Sequence, residues 1–374
     1  MQLILIVAII VYLTANIIYL VRLAPVRTPV ADPPRISICV PARNEERGIR
    51  ACLQSLLDQD YPDFEVIAVD DHSSDRTGEI MSTLAKENSR LTVLRGKDLP
   101  EGWLGKPFAL HQAFNIAQGD YLLFTDADPV FQGYALNTAI AAMRDRELDM
   151  LTLMPQAEFG SFWERAVQPV IFGFIASLTR FKNVNDPDNK SAMGFGVFLM
   201  FRRDAYEKIG GHEAGKADVL EDVLIAKRAK RAGLKLLVAD AKKLFSIRMY
   251  FGLKEIWIGW RKNMFLAMKR SVLRAAWHVS MVLGFLLTPY IILALNIFLQ
   301  TGWLGIGMAL AGVTMVTAAA YKTCDELRLH RNNAALFPLG ALVMAAIMLN
   351  SMVYILVRKK TEWRGRIYPV DKLL

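Results

Sequence analysis

The sequence predicts an α/β domain with a parallel or mixed sheet, joined to α-helical transmembrane segments, about four in number. In the roughly 100 residues after position 35, strand-like apolar runs alternate with helical patterns, which is typical of βαβ units. The 374-residue chain is 53% hydrophobic, and its mean hydropathy of +0.25 is high for a soluble protein. Membrane-spanning segments are therefore expected beside a folded domain.

Four apolar stretches are long enough to cross the hydrocarbon core of a bilayer. The first stands at the start of the sequence and has neither a basic n-region nor a small-residue cleavage site, so we interpret it as an uncleaved anchor. The other three are Trp277–Leu299, Trp303–Tyr321 and Ala334–Val357. The expected organisation is an anchor, a Pro-containing linker, a polar domain, a C-terminal bundle and a basic tail, at residues 1–21, 22–35, 36–275, 276–357 and 358–374.

Basic residues flank these stretches, with Arg22, Arg27 and Arg35 after the first and Lys269 and Arg270 before the second. The positive-inside rule then places the polar domain in the cytoplasm and the protein in the cytoplasmic membrane. Four spans would leave the basic tail outside, against this rule, so either the last stretch re-enters or the tail is an exception. The net charge of +9, concentrated beside the spans, indicates anionic lipid headgroups as partners and not nucleic acid.

Alternating elements open the polar domain, and their apolar residues repeat at strand or helical spacing. In chain order they are a strand at Ile36–Val40, a helix at Glu45–Gln59, a strand at Glu65–Val69, a helix at Asp75–Asn88, a strand at Leu91–Leu94, a helix at Lys106–Ala117 and a strand at Tyr121–Phe124. A further helix is expected at Ala217–Ala232. Two segments near 162–181 and 249–268 are apolar but interrupted by charges, so we predict helices that lie on the membrane surface and line the entrance for a lipid.

Two carboxylates, Asp126 and Asp128, follow the apolar strand Tyr121–Phe124. Alternate residues of an extended segment point to one face, so both side chains project together at the carboxyl end of a strand, where open α/β sheets bind ligands. Such hard oxygen ligands suit Mg²⁺ or Mn²⁺ carried with a diphosphate. The alternative is a polar turn at the end of a strand.

Other acidic residues stand at similar positions. Asp70 and Asp71 end the second strand and would repel one another without a ligand, a metal or a basic partner. The turn Val40–Glu46 either holds a nucleotide or simply caps the following helix. Glu221 and Asp222 start a helix, where they either supply a general base or interact with the helix dipole.

Five motifs stand in a characteristic order: Pro41-Ala42-Arg43-Asn44-Glu45, Val69-Asp70-Asp71-x-Ser73-x-Asp75, Gly102-Trp103-Leu104-Gly105-Lys106, Asp126-x-Asp128 and Leu220-Glu221-Asp222. This order and spacing resembles the membrane-bound family 2 glycosyltransferases, which are inverting enzymes with a Rossmann-like GT-A fold. The resemblance covers roughly residues 35 to 265.

Further segments narrow the resemblance to the carotenoid (diaponeurosporenoate-type) and hopanoid-associated transferases, and less specifically to ceramide glucosyltransferases. These segments are Ala192–Gly196, Gly210-Gly211-His212, Arg248-Met249-Tyr250, Gly259-Trp260-x-Lys262 and Glu362–Tyr368. Processive synthases carry Gln-x-x-Arg-Trp where this chain has Ile258–Lys262, and this departure puts polymer synthesis in doubt.

The resemblance implies a role for each motif. The nucleotide sugar would be bound by Pro41, Arg43, Glu45, Asp70, Asp71, Lys106 and Asp126. The metal would be framed by Asp126 and Asp128. The general base would be Asp222, with Glu221 beside it. The diphosphate or the acceptor would lie near Trp260, Arg261 and Lys262.

We therefore expect an inverting, metal-dependent enzyme that moves a hexose from a donor such as UDP-glucose to a membrane lipid. Transferases of the diaponeurosporenoate type esterify a carboxylic acid, which needs no general base because its reference pKa is about 4. This chain keeps Leu220-Glu221-Asp222, so we expect an alcohol acceptor: a hydroxylated carotenoid or other terpenoid, a ceramide or a diacylglycerol. The alternatives are a processive polysaccharide synthase, a non-catalytic membrane scaffold and a sugar nucleotidyltransferase.

Overall fold

The computed structural model describes residues 2–358, 360–363 and 366–369. The chain forms two compact units. We call one the sheet unit, which consists of Leu20–Glu158 and Phe181–Met249, and the other the helical unit, which consists of Met1–Tyr19, Phe159–Arg180 and Tyr250–Val370. Lys359, Arg364 and Gly365 of the predicted basic tail lie outside the described residues.

The strands, in chain order, are β1 (Val21–Arg22), β2 (Ile36–Ala42), β3 (Phe64–Asp70), β4 (Leu91–Arg95), β5 (Tyr121–Phe124), β6 (Val130–Phe131), β7 (Met150–Met154), β8 (Gln156–Ala157), β9 (Leu199–Arg202), β10 (Leu236–Asp240), β11 (Phe245–Ile247), β12 (Lys360–Trp363) and β13 (Arg366–Pro369). The helices of the sheet unit are α2 (Ile49–Leu57), α3 (Thr77–Glu87), α4 (Gly105–Phe114), α5 (Ala135–Asp145), α7 (Phe181–Asn185), α8 (Arg203–Lys208) and α9 (Glu221–Arg231). The helices of the helical unit are α1 (Gln2–Ile18), α6 (Phe162–Leu178), α10 (Leu253–Ala267), α11 (Val272–Leu286), α12 (Thr288–Phe298), α13 (Trp303–Glu326) and α14 (Phe337–Arg358). Short 3₁₀ helices occur at Glu213–Gly215 and Arg331–Leu336.

An eight-stranded mixed sheet in the order β1-β10-β7-β9-β5-β2-β3-β4 forms the centre of the sheet unit. Its neighbours pair in parallel, except that β9 runs antiparallel to both β5 and β7. Every residue of β2 is buried, and alternate residues enter two separate apolar clusters, with Ile38 and Val40 in one and Cys39 in the other. This is the pattern of a strand covered on both faces, and it confirms the predicted α/β class.

Most predicted elements occur within a few residues of their expected ends. The helix expected from Glu45 begins only at Ile49, because the preceding residues form a loop in which Asn44 has a positive φ of 54°. The two residues of β1 lie where the anchor was expected to end and the linker to begin, and they pair in parallel with the end of β10 at the sheet edge.

The helical unit contains fewer candidate spans than the four expected. Within the described residues, two helical segments, Trp303–Glu326 and Arg331–Arg358, are long and apolar enough to cross a membrane. A third candidate is the pair α11 and α12, which is bent by 51°. Pro289 lies in the first turn of α12, at this bend. Proline has no backbone N–H, so it cannot donate the hydrogen bond that would continue α11 into α12. The apolar helix α1 has 17 residues and is shorter than these, so the expected count is not confirmed.

The two segments predicted to lie on a membrane surface are the helices α6 and α10. A serine–glutamate capping box starts α6, in which Ser161 accepts from the Glu164 N–H. Gly340 of α14 lies so close to Ala166 of α6 that a Cβ there would overlap the Ala166 carbonyl oxygen. Ser351 of α14 donates from Oγ to the Arg261 carbonyl of α10 at 2.6 Å. Both α6 and α10 therefore pack against α14 within the helical unit, and their placement against lipid stays a prediction.

Candidate active site

A largely buried lysine joins acidic residues that are far apart in the sequence. Lys106, in the first turn of α4, places its Nζ 2.7 Å from Asp126 Oδ1 and 2.8 Å from Glu221 Oε1. Asp126 follows β5 and Glu221 begins α9, so three separate segments meet at this point. Burial lowers the pKa of Lys106, but Asp126, Glu221 and Asp222 outweigh it and hold that pKa well above its ordinary value. We call Lys106, Asp126, Glu221 and Asp222 the lysine cluster.

Asp222 is held in this cluster by two backbone donors. Its Oδ2 accepts from the Gly196 N–H at 2.9 Å, and its Oδ1 accepts from the Val223 N–H at 2.8 Å. Burial and the neighbouring Glu221, opposed by Lys106 and the two N–H groups, raise the pKa of Asp222 to about 7. The residue is only half-buried by surface area. A reachable carboxylate that titrates near neutral pH is suited to exchange protons with a ligand.

The segment Ala192–Gly196 packs closely against the lysine cluster, and its approach to the α9 backbone requires glycine at Gly194. A Cβ at Gly194 would overlap the backbone carbonyl of Asp222, and a Cβ at Gly196 would lie 2.7 Å from the Nζ of Lys106. Sequence reasoning gave these glycines no role in the site. Two glycines separated by one residue were the signal, since glycine allows a backbone to approach its neighbours closely.

The loops after β2 and β3 are connected by hydrogen bonds. Arg43 donates from Nη1 to the backbone carbonyls of Asp71 and His72. Asp70 Oδ1 accepts from the Ser73 N–H at 3.0 Å. The predicted nucleotide-binding residues on these loops and strand ends are Pro41, Arg43, Glu45, Asp70 and Asp71. The structure therefore brings this set together at the carboxyl ends of neighbouring strands, and contact with a nucleotide stays a prediction.

Asp128 lies against the start of α2, since a Cβ at Gly48 would be 3.6 Å from the Cα and Cβ of Asp128. Burial, together with the charges of Asp128 and Asp126, raises the pKa of the Cys52 thiol on α2. No group of three or more His, Cys, Asp or Glu side chains suited to a metal occurs in the described parts of the chain. The two carboxylates match the oxygen donors that Mg²⁺ or Mn²⁺ prefers, and a metal shared with a diphosphate and water needs no further protein ligand.

Trp260, Arg261 and Lys262 lie on α10 of the helical unit. The Trp260 ring is buried, with its centroid 6.0 Å from that of Phe172 and 6.2 Å from that of Tyr250. The Arg261 guanidinium lies over the ring of Tyr354 on α14, 4.1 Å from its centroid. These contacts give Trp260 and Arg261 a packing role in the helical unit, and their predicted role near the diphosphate or the acceptor stays a prediction.

Replacing Lys106 with Met is expected to lower the free energy of unfolding by about 3 kcal/mol, because it leaves the buried Glu221 and the partly buried Asp126 without their cation. Lys235→Met is the matched control. Lys235 pairs with Glu147 at 3.2 Å in an exposed position, where loss of the pair should cost at most about 1 kcal/mol. Denaturant unfolding of the two purified variants measures the difference. Equal losses for both would contradict the structural importance of the lysine cluster.

A family model and several known proteins are similar to this chain. Residues 37–210 match the family model described as Glycosyl transferase family 2. The 4,4′-diaponeurosporenoate glycosyltransferase of Staphylococcus haemolyticus is 24% identical over 354 residues, covering 90% of this chain and 88% of that protein. A protein of the same name from Staphylococcus aureus is 23% identical over 350 residues, covering 90% of this chain and 89% of that protein.

Among solved structures, a mannosyltransferase from Pyrobaculum calidifontis in complex with GDP-Man and Mn²⁺ is similar, with a TM-score of 0.55 and 19% identity. The match covers 94% of this chain and 95% of that chain, and at this identity it shows the fold alone. The predicted resemblance to family 2 glycosyltransferases and the predicted GT-A-like α/β fold are confirmed.

Proposed function

We propose that this protein glycosylates a membrane lipid. The premise is that residues 37–210 match glycosyl transferase family 2. The donor is a nucleotide sugar, specifically a UDP-hexose such as UDP-glucose, and the acceptor is a lipid hydroxyl. The observation that carries the proposal is the lysine cluster, in which a cation between Asp126 and Glu221 stands beside a carboxylate with a pKa of about 7.

In the proposed reaction, Asp222 accepts the proton of the acceptor hydroxyl while its oxygen attacks the anomeric carbon. The bond from that carbon to the diphosphate oxygen breaks, the diphosphate leaves with the electron pair, and the configuration is inverted. Lys106 places positive charge where the diphosphate would lie, and Glu221 holds that lysine at 2.8 Å. A β-glycoside is therefore expected from an α-linked donor.

The nucleotide would bind along the loops after β2 and β3, where Pro41, Arg43, Glu45, Asp70 and Asp71 are gathered. Asp126 and Asp128 would hold Mg²⁺ or Mn²⁺, which supplies charge neutralisation for the leaving diphosphate. This assignment is supported by the position of both residues after the end of β5. Arg43 is already bonded to two carbonyls and would stiffen the loops around the ligand.

We further propose that the sheet unit faces the cytoplasm, with the helical unit in the cytoplasmic membrane beside anionic headgroups. The basic residues that flank the apolar helices support this orientation. The segments 162–181 and 249–268 would lie along the bilayer surface near the acceptor entrance. Cysteine accessibility scanning that found either segment fully exposed to water would contradict this placement.

The acceptor class is narrowed by the relatives, whose name specifies a carotenoid-type carboxylate, diaponeurosporenoate. A carotenoid or other terpenoid is therefore favoured over a ceramide or a diacylglycerol. We infer an alcohol and not an acid, because an aliphatic hydroxyl needs the base that Asp222 provides. A processive synthase is disfavoured, since the described chain offers at most three candidate spans by length and composition.

Incubation of the purified protein with radiolabelled UDP-glucose and extracted lipids tests the proposal directly. Label is expected to enter the organic phase in a product that a β-glucosidase releases. Unlabelled UDP-glucose should compete, and GDP-mannose should compete poorly. Label that stays entirely in the aqueous phase with every donor and lipid class would contradict glycosylation of a lipid.

The rate of transfer to a lipid alcohol is expected to rise as the pH passes through about 7. Asp222 must be ionised to accept a proton, and its pKa is raised to about 7, so the protonated, inactive form dominates below that pH. Initial rates between pH 5.5 and 8.5 at low acceptor concentration measure the profile. A midpoint near pH 4, the ordinary range of an aspartate, would contradict this environment for the base.

A further inference from the structure

A tyrosine and a histidine in the sheet unit form a buried, hydrogen-bonded pair. Tyr206 on α8 and His212, six residues later, are each 1% exposed. The Tyr206 hydroxyl accepts from the His212 backbone N–H at 2.9 Å and lies 2.6 Å from His212 Nδ1. Burial, assisted by Lys106 and His111, lowers the pKa of His212 to about 3, so its ring is neutral near pH 7. Nδ1 therefore accepts the hydroxyl hydrogen, and one oxygen atom serves both the backbone and the side chain of His212.

The turn between the two residues fits closely around the tyrosine ring. Gly210 and Gly211 both have a positive φ, of 77° and 48°. A Cβ at Gly211 would overlap the Tyr206 ring, with its nearest ring atoms at 2.6 Å. Only glycine combines this backbone conformation with so close an approach. These contacts give a structural reason for the segment Gly210-Gly211-His212, to which the sequence motifs assigned no role.

The pair packs against two of the segments that carry the lysine cluster. Phe114, at the end of α4, meets the Tyr206 ring edge to face, with centroids 4.8 Å apart. The same helix carries Lys106 in its first turn. Phe124, the last residue of β5, has its ring centroid 4.8 Å from that of Tyr206 and 4.7 Å from that of His212. The aspartate of the cluster follows Phe124 by two positions, so the pair contacts both α4 and β5.

The segment after His212 makes the third connection. It leads through a 3₁₀ helix to Glu221 and Asp222 at the start of α9. On the way, the Lys216 carbonyl accepts from the Leu104 N–H at 2.7 Å, two positions before the lysine of the cluster. The Tyr206–His212 pair therefore lies where all three segments that form the lysine cluster come together.

The histidine ring contributes more than packing. Because Nδ1 accepts the Tyr206 hydrogen, the ring hydrogen stands on Nε2, which has no hydrogen-bond partner among the described residues. A buried N–H without an acceptor costs roughly 1–3 kcal/mol. An apolar ring at position 212 would fill the space without that cost. What His212 adds is its hydrogen bond to Tyr206.

We propose that Tyr206 and His212 are positioning residues for the transfer reaction, and that their hydrogen bond holds the three segments of the lysine cluster in one arrangement. This deepens the proposed function and rests on it, because transfer is the reaction that the cluster serves. Both residues are buried, so they act through the cluster and not on the substrate. Turnover depends steeply on the placement of reacting groups, so a small displacement of Asp222 or Lys106 lowers the rate.

Tyr206→Phe keeps the ring contacts and removes the hydroxyl. Its kcat for transfer to a lipid alcohol is expected to fall about tenfold, with KM for UDP-glucose within about twofold, because the nucleotide is proposed to bind on other loops. His212→Leu should have the same effect, and it is the second variant if Tyr206→Phe does not fold. His212→Asn keeps an acceptor, Oδ1, for the Tyr206 hydroxyl and should retain most of the activity. Rescue by Asn but not by Leu distinguishes the hydrogen bond from the filling of space.

Hydrogen exchange of the full chain, measured by mass spectrometry, gives a readout that needs no activity. The amides of Leu104 and Gly196 bond across segments of the cluster and should exchange about tenfold faster in Tyr206→Phe. Tyr61→Phe is the matched control, because the buried Tyr61 hydroxyl donates to the Pro34 carbonyl at 2.6 Å in a separate apolar cluster. It should lower the unfolding temperature similarly but leave kcat and exchange at both amides unchanged.

Unchanged exchange at Leu104 and Gly196 in Tyr206→Phe would overturn the proposal. Equal changes in Tyr61→Phe would also overturn it, since they would show a general loss of stability. The two proposals fail separately. If no donor and no lipid gives transfer while exchange still depends on the Tyr206 hydroxyl, the proposed function fails and the placement of the cluster by the pair stands. If Tyr206→Phe and His212→Leu transfer to alcohols at the normal rate, the positioning role fails and the proposed function stands.

Discussion

Replacing Asp222 with Asn is expected to lower turnover with a lipid alcohol roughly 10²- to 10⁴-fold. Asn has nearly the same shape but cannot accept the proton of the attacking hydroxyl. If Asp222 served only the dipole at the start of α9, its loss would cost about 0.3–1 kcal/mol of stability and little chemistry. Initial rates of transfer from radiolabelled UDP-glucose to geranylgeraniol measure the effect.

A carboxylic lipid is the matched acceptor for this variant. Its reference pKa of about 4 means that it is already ionised near neutral pH and attacks without a base. Asp222→Asn should therefore transfer to geranylgeranoic acid at close to the rate of the unmodified protein, whatever that rate is. Near-normal transfer to the alcohol by Asp222→Asn would show that Asp222 is not the general base.

The same variant should not unfold the protein, and its stability has a predictable pH dependence. The pKa of Asp222 is raised from 3.8 to about 7 in the folded state. Its contribution to the free energy of unfolding is therefore fully present below about pH 3.8 and is lost as the pH rises through about 7. Asn does not titrate, so the unfolding temperature of the variant, relative to that of the unmodified protein, should be higher at pH 8 than at pH 5. A marked fall at pH 8 would mean that lost activity reflects lost structure.

Removal of divalent metal is expected to abolish turnover, and Mg²⁺ or Mn²⁺ should restore it. Asp126 and Asp128 offer oxygen ligands where the diphosphate is proposed to leave, and without a metal its charge would be left largely uncompensated. Asp128→Asn should cost several kcal/mol of transition-state stabilisation, measured as the loss of kcat/KM. Full activity in excess EDTA would end this assignment.

Asp120→Asn is the matched control for the metal site. Asp120 precedes β5, at the opposite end of the strand from Asp128. Its exposed carboxylate accepts a hydrogen bond of 3.3 Å from the Arg35 N–H. It should retain nearly full activity. Electron paramagnetic resonance of Mn²⁺ in the presence of UDP gives a readout besides turnover. Binding of Mn²⁺ should weaken in Asp128→Asn and stay unchanged in Asp120→Asn.

Local sequence patterns were sufficient to place the strands β2, β3, β4 and β5 and the carboxylates that follow β5, whereas β7, β9 and β10 of the same sheet were not predicted. The apolar strand Tyr121–Phe124 occurs as predicted, and Asp126 and Asp128 follow it at the carboxyl end. Alternation and strand propensity act between near neighbours, so they can be read directly from the residues. The motif order also predicted the resemblance to family 2 glycosyltransferases, and residues 37–210 match the model of that family.

Long-range contacts could not be derived in this way. Lys106 meets Asp126 and Glu221 because the chain returns to the sheet through the antiparallel strand β9, next to β5, before α9 begins. No local spacing encodes that return, so the ion pairs were not predicted.

The apolar composition of the C-terminal third predicted helices but not how many of them span the membrane. Hydropathy records only the total length of an apolar stretch, whereas a break in a helix depends on a single residue. Pro289 stands at such a break, where α11 and α12 are bent by 51°. Similarly, the helical pattern of 249–268 predicted α10 but not which of its buried polar groups are hydrogen-bonded. That depends on Asn350 and Ser351, which are distant in sequence and meet α10 only because α14 packs against it. Periodicity is local in the chain, but the pairing of buried polar atoms depends on how the helices pack.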